Sequence, residues 1–119
     1  MSVINNVVEG SVECGAPICL VKCKLNLEHS IILFRNNRGS QSGGITVRDK
    51  TELIFTDNTT LKFINNAGQM GGALSLYTGS PLVFPANKSN ISITFINNTA
   101  QRGGAMYIED CTQNGPISV

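Results

Sequence analysis

Apolar and polar residues alternate over short runs of this chain. In Ile91-Ser-Ile-Thr-Phe95 every second residue is apolar, and Ile45-Thr-Val47, Glu52-Leu-Ile-Phe55, Thr60-Leu-Lys-Phe63, Ala73-Leu-Ser-Leu-Tyr77 and Leu82-Val-Phe84 are further runs of β-branched, aromatic and aliphatic residues. Such runs, bounded by Gly, Pro, Asn and Ser, are the signature of strands about five residues long. Turns are expected at Thr78-Gly-Ser-Pro81 and from Pro85 to Asn90. Glycines and asparagines interrupt the chain too often for a helix of about ten residues. The predicted fold is all-β.

The runs recur. Phe63-Ile-Asn-Asn-Ala-Gly-Gln-Met-Gly-Gly-Ala-Leu-Ser-Leu76 returns as Phe95-Ile-Asn-Asn-Thr-Ala-Gln-Arg-Gly-Gly-Ala-Met-Tyr-Ile108. A looser copy runs from Phe34-Arg-Asn-Asn37 to Gly43-Gly-Ile-Thr-Val47, and a worn one pairs Val3-Ile-Asn-Asn6 with Gly10-Ser-Val-Glu-Cys14. The second asparagines of the doublets, Asn6, Asn37, Asn66 and Asn98, are spaced 31, 29 and 32 residues apart. A period in this range marks a solenoid or a propeller. Each period reads as three short strands. Phe-x-x-Asn closes the third strand at Phe34/Asn37, Phe63/Asn66 and Phe95/Asn98, and the second at Phe55/Asn58 and Phe84/Asn87, with Cys23/Asn26 as a worn version. If successive periods stack about 4.8 Å apart, aligned Phe rings fill an interior and aligned Asn amides hydrogen-bond as a ladder. The pairs Gly43/Gly44, Gly71/Gly72 and Gly103/Gly104 then supply a tight corner. A propeller blade needs a fourth strand per unit. The expected architecture is a right-handed parallel β-helix with three strands per rung.

Gly71-Gly-Ala-Leu, Gly103-Gly-Ala-Met and the Phe-x-x-Asn set resemble the repeats of chlamydial polymorphic outer-membrane proteins, found also in extracellular proteins of sponges and cnidarians. Gly43-Gly-Ile-Thr departs from that pattern by lacking the alanine. The resemblance covers nearly the whole chain. It implies a β-helical surface segment of the pectin lyase-like type, and it implies no catalytic residue.

Composition narrows the partners. The chain is 41% hydrophobic and 14% charged with a formal net charge of +1, so it can bury a core but offers no basic stripe for nucleic acid. Its longest apolar runs, such as Ser30-Ile-Ile-Leu-Phe34, are far shorter than the roughly 20 residues of a membrane-spanning helix. Gly115-Pro-Ile-Ser-Val119 aligns with Ser80-Pro-Leu-Val-Phe84. Residues 1–119 are therefore expected to be one partial domain of about three complete rungs, cut at both ends and lacking the caps a solenoid needs.

Four cysteines allow three complete pairings. Stacking would separate Cys14 from Cys111 by about 14 Å, and a straight strand would separate Cys19 from Cys23 by about 13 Å, both beyond disulfide reach. Cys14 with Cys19, or Cys14 with Cys23, remain as candidates. These spacings are not those of a zinc ribbon or finger, and the single His29 is expected in a solvated turn. No metal or cofactor is expected. Sequons stand at Asn58-Thr-Thr, Asn87-Lys-Ser, Asn90-Ile-Ser and Asn97-Asn-Thr. As ladder residues Asn58 and Asn87 would point inward, which leaves Asn90 as the candidate for glycosylation. Sequons with disulfides favour a secreted or cell-surface protein.

The functional expectation is a non-enzymatic extracellular module acting in adhesion or as a spacer. The alternative is a polysaccharide-binding or polysaccharide-cleaving pectin lyase-like protein, which would need acids converging on one face. Asp49 and Glu109 would lie two rungs apart, about 10 Å, with Thr78 between them. Any ligand, glycan or protein, is expected on a lateral sheet face. Tyr77 and Tyr107 are the candidate contacts, one facing out and one packing in.

Overall fold

The computed structural model describes residues 1–8, 15–77, 82–83 and 90–109. Phe84, Asn87, Cys14, Cys111, the glycine corner at Gly10, the turn residues 78–81 and 85–89 and the segment Gly115–Val119 lie outside the described residues. The described residues are all β, with no helix.

The chain makes four similar passes. The first carries β1 (Ser2–Ile4), β2 (Val7–Val8), β3 (Ile18–Val21) and β4 (Lys24–Glu28). The second carries β5 (Ile31–Arg35), β6 (Arg38–Gly39), β7 (Ile45–Arg48) and β8 (Glu52–Asp57). The third carries β9 (Thr59–Ile64), β10 (Ala67–Met70), β11 (Leu74–Tyr77) and β12 (Leu82–Val83), and the fourth β13 (Ile91–Ile96), β14 (Thr99–Arg102) and β15 (Met106–Glu109). Each strand pairs with its counterpart in the adjacent pass. This gives four sheets, ordered β1-β5-β9-β13, β2-β6-β10-β14, β3-β7-β11-β15 and β4-β8-β12. All pairings are parallel.

There are four strands per pass where three were expected. The unforeseen sheet is the second, whose strands lie between the Asn doublet and the glycine corner. Ala67-Gly-Gln-Met70 lacks the β-branched and aromatic residues that mark a strand, and its geometry comes from ladder pairing of Ala67 with Arg38 and Thr99. Four strands do not make a propeller blade here, because blades pair consecutive strands whereas these pair only across passes.

Inside the passes, alternation puts Thr59, Leu61 and Phe63 of β9 inward, with Lys62 exposed on the outer face. Phe63 pairs in register with Phe34 and Phe95. The rings stack at centroid distances of 4.9 and 5.3 Å, tilted by 11° and 9°. Around this stack lie Ile45, Val47, Leu74 and Leu76 of the third sheet and Leu27, Leu53 and Phe55 of the fourth.

Every described left-handed residue sits at a corner. The first Asn of each doublet takes it between the first and second sheets, at Asn5, Asn36, Asn65 and Asn97, with φ of 59°, 57°, 56° and 54°. Gly15, Gly71 and Gly103 turn the chain from the second sheet to the third, Lys22, Asp49 and Lys50 from the third to the fourth, and His29 and Asn58 from the fourth to the next pass. The register of Ile18, Ile45, Leu74 and Met106 aligns Ser42-Gly43-Gly44 with Gly71-Gly72-Ala73 and Gly103-Gly104-Ala105. Gly44 therefore occupies the alanine position, and the first copy of the corner is Gly15-Ala-Pro rather than Gly10-Ser-Val.

The second Asn of each doublet forms the ladder. Asn37 Nδ2 and backbone N both donate to Asn66 Oδ1 at 3.1 Å. Asn66 repeats this onto Asn98 Oδ1 at 3.0 Å. Asn6 does the same onto Asn37 Oδ1, at 3.0 Å from Nδ2 and 2.9 Å from its backbone N. The remaining amide hydrogens of Asn66 and Asn98 reach Phe34 O at 3.1 Å and Phe63 O at 2.9 Å.

Candidate functional site

Asn58 is not part of this ladder. The left-handed residue falls two positions after Phe34 and Phe63, at Asn36 and Asn65, but three positions after Phe55, at Asn58 itself (φ 42°). The same Phe-x-x-Asn spacing therefore buries Asn37 and exposes Asn58. Asn26, expected as a worn equivalent, sits within β4 opposite Ile54 with its side chain exposed. Asn58 instead joins an outer column: its Nδ2 lies 3.3 Å from His29 Nδ1, and its Oδ1 accepts from Asn90 Nδ2 at 3.1 Å. His29 Nε2 lies 3.8 Å from Glu28 and 3.9 Å from Asp57 carboxylate oxygens, all exposed. Among the described residues no group of three or more His, Cys, Asp or Glu is arranged to hold a metal.

The outer face of the third sheet carries the tyrosines. Tyr77 is only 6% exposed and is not a surface contact. Its hydroxyl donates to Gln41 Oε1 at 2.9 Å, the Arg48 guanidinium lies 5.1 Å over its ring, and the Tyr107 ring sits 5.7 Å away at 48°. Thr46 and Ser75, in the neighbouring column of this face, are also buried, with Ser75 Oγ donating to Met70 O and Thr46 Oγ1 3.3 Å from Ser42 Oγ. Tyr107 remains partly exposed, its hydroxyl donating to Glu109 Oε1 at 3.4 Å.

Burial raises Tyr77 above the ordinary tyrosine value of 10.0, with the negative groups Tyr107 and Glu109 adding to the rise. The phenolate is disfavoured in the fold, so the unfolded chain ionises first as pH climbs. The contribution of Tyr77 is fully present below its unfolded value and is lost as pH rises through the higher folded one. Alkaline unfolding followed by circular dichroism should show stability falling above pH about 10, and Tyr77→Phe should flatten that limb.

The third corner contains an open cleft of about 650 Å³ lined by Lys22, Cys23, Lys24, Asp49 and Lys50. Buried Thr51 ties the corner together: its hydroxyl donates to Arg48 O at 2.7 Å and accepts from the backbone N of Cys23 at 3.3 Å. Backbone bonds from Lys22 N to Arg48 O and from Glu52 N to Cys23 O join the two passes, at 3.4 and 3.0 Å. Lys24 Nζ lies 3.4 Å from Glu52 Oε2. Sequence reasoning missed this cluster because three residues in one pass, 22–24, face four in the next, 49–52. The inserted residue hides the alignment of Lys22 with the Asp49-Lys50 corner.

The cysteines separate in role. Cys19 is disulfide-bonded to a partner outside the described residues, whereas Cys23 is a free, exposed thiol. A free Cys23 excludes the candidate pairing of Cys14 with Cys23. Native alkylation with iodoacetamide followed by peptide mapping should label Cys23 and leave Cys19 unlabelled until reduction; labelling of Cys19 without reductant would contradict this assignment.

Asp49 and Glu109, the acids weighed for catalysis, stand on different features, Asp49 in the cleft and Glu109 beside Tyr107. Among the described residues no helix is long and apolar enough to cross a membrane. No family model, curated protein or solved structure matches the chain.

Proposed function

We propose that the chain is a segment of a right-handed parallel β-helix that serves as a non-enzymatic module of a secreted or cell-surface protein, in adhesion or as a spacer. The observation that carries this reading is the pair of continuous stacks, Phe34-Phe63-Phe95 and Asn6-Asn37-Asn66-Asn98, which occupy equivalent positions in successive passes. An interior filled this way is a scaffold that lengthens by adding passes. Parallel crossover connections in one sheet are right-handed in nearly all proteins, which supplies the hand. The repeat pattern it resembles, that of the polymorphic outer-membrane proteins, is also a surface one. Two features support an oxidising, secretory setting: the Cys19 disulfide and the exposure of the sequon residues Asn58, Asn90 and Asn97.

A panel of neutral and acidic polysaccharides, incubated with the purified chain and assayed for new reducing ends and for unsaturated products, should show no turnover. Cleavage lost on Asp49→Ala or Glu109→Ala would overturn the non-enzymatic reading. For the setting, expression through a eukaryotic secretory pathway should yield glycan at one or more of Asn58, Asn90 and Asn97; secreted chain bearing none would count against it.

A further inference from the structure

We propose that the cleft at the third corner is a binding site for an acidic saccharide, a sugar carrying a sulfate or carboxylate group, with Lys22 and Lys50 as the oxyanion contacts. Nine non-glycine residues among those described have positive φ. Seven are Asn, Asp or His, whose short polar side chains tolerate the left-handed region. The other two are Lys22 (φ 53°) and Lys50 (φ 62°), and both line this one cleft. Lysine gains nothing from that backbone, and the other corners place glycine, asparagine or histidine there. Strain accepted at two positions that share a cavity points to what the side chains do there.

Charge and rigidity agree with this assignment. Lys24 is engaged by Glu52, but among the described residues neither Lys22 nor Lys50 has an ion-pair partner. They stand on adjacent passes, whose backbones are about 4.8 Å apart, so two flexible ammonium groups can converge on one anion. Thr51 and the cross-pass bonds fix the backbone beneath them. Asp49 in the same cleft would repel a bare anion but accepts hydrogen bonds from hydroxyls, and a saccharide brings hydroxyls beside its charged group.

The test is an NMR titration of the ¹⁵N-labelled chain with three disaccharides, one sulfated, one containing a uronic acid and one neutral. Saturable shifts confined to the amides of residues 22–24 and 49–52 are expected with a charged sugar, with at least tenfold weaker binding of the neutral one. The tighter of the two charged sugars identifies the anionic group. Lys22→Asn combined with Lys50→Asn relieves the backbone while removing the charge. It should leave Tm unchanged or higher and weaken binding at least tenfold, whereas Lys62→Asn on the outer face of the first sheet should leave affinity unchanged. Lys22→Gln with Lys50→Gln removes the charge with a side chain closer to lysine in length and serves as the second variant should the first fold poorly. No saturable shift at these amides, equal binding of the neutral sugar, or full affinity in both double variants would overturn the proposal.

Discussion

Replacing Asn66 by leucine is expected to lower stability by about 3 kcal/mol, since the backbone N–H and side-chain amide of Asn37 and the carbonyl of Phe34 each lose a hydrogen bond, while Asn98 Oδ1 keeps only the backbone N–H of position 66. Asn66 is 1% exposed. Its Oδ1 takes both the backbone N–H and the side-chain amide of Asn37, and its Nδ2 serves Phe34 O and Asn98 Oδ1. Leucine has similar volume but can replace none of these bonds. Asn65→Gly is the contrasting variant. Asn65 supplies the left-handed turn, which glycine adopts freely, so that change should cost far less. Urea denaturation of both proteins measures the difference; a loss below about 1 kcal/mol for Asn66→Leu would mean that the ladder is incidental to stability.

The second large effect is expected at Gly72. A Cβ there would lie 2.3 Å from Gly104 O and 2.6 Å from both Thr99 N and Thr99 O. All three are backbone atoms of the next pass, already held in the parallel ladder, so they cannot move aside without breaking it. Gly72→Val should cost about 3 kcal/mol or more or prevent folding. Gly72→Ala should also destabilise. Gly104 is the same residue of the next repeat, yet a Cβ there meets only Asn98 O at 4.0 Å among the described residues. Gly104→Ala should therefore be close to neutral. Thermal unfolding of the two alanine variants separates a packing requirement, which differs between the repeats, from a backbone requirement shared by both. Equal effects would favour the shared one.

The Phe stack and the inner Asn ladder were legible because each depends on one residue type returning at one spacing. The second sheet was not, since Ala67-Gly-Gln-Met carries no strand-forming side chains and owes its shape to neighbours about thirty residues away. Asn58 was misplaced by a shift of one residue in where the turn falls after phenylalanine, a difference that resides in φ and not in composition. The burial of Tyr77 was hidden for another reason. Its cover comes from Gln41 and Arg48 of the preceding pass, whose positions follow only once the passes are stacked. The lysine cleft required both the stacking and the one-residue insertion to be known.

The direction of the inner ladder has a further consequence. The Oδ1 atoms of Asn37, Asn66 and Asn98 each accept a backbone N–H as well as an amide N–H, which fixes which way these amides point. From Asn6 to Asn66 each side-chain amide donates one hydrogen to the Oδ1 of the following pass, so the ladder bonds all run in one direction. That shared direction gives the stack a sense of order: a new pass can extend the ladder only by accepting at one end or donating at the other, so elongation by duplication preserves a single orientation however many copies are joined.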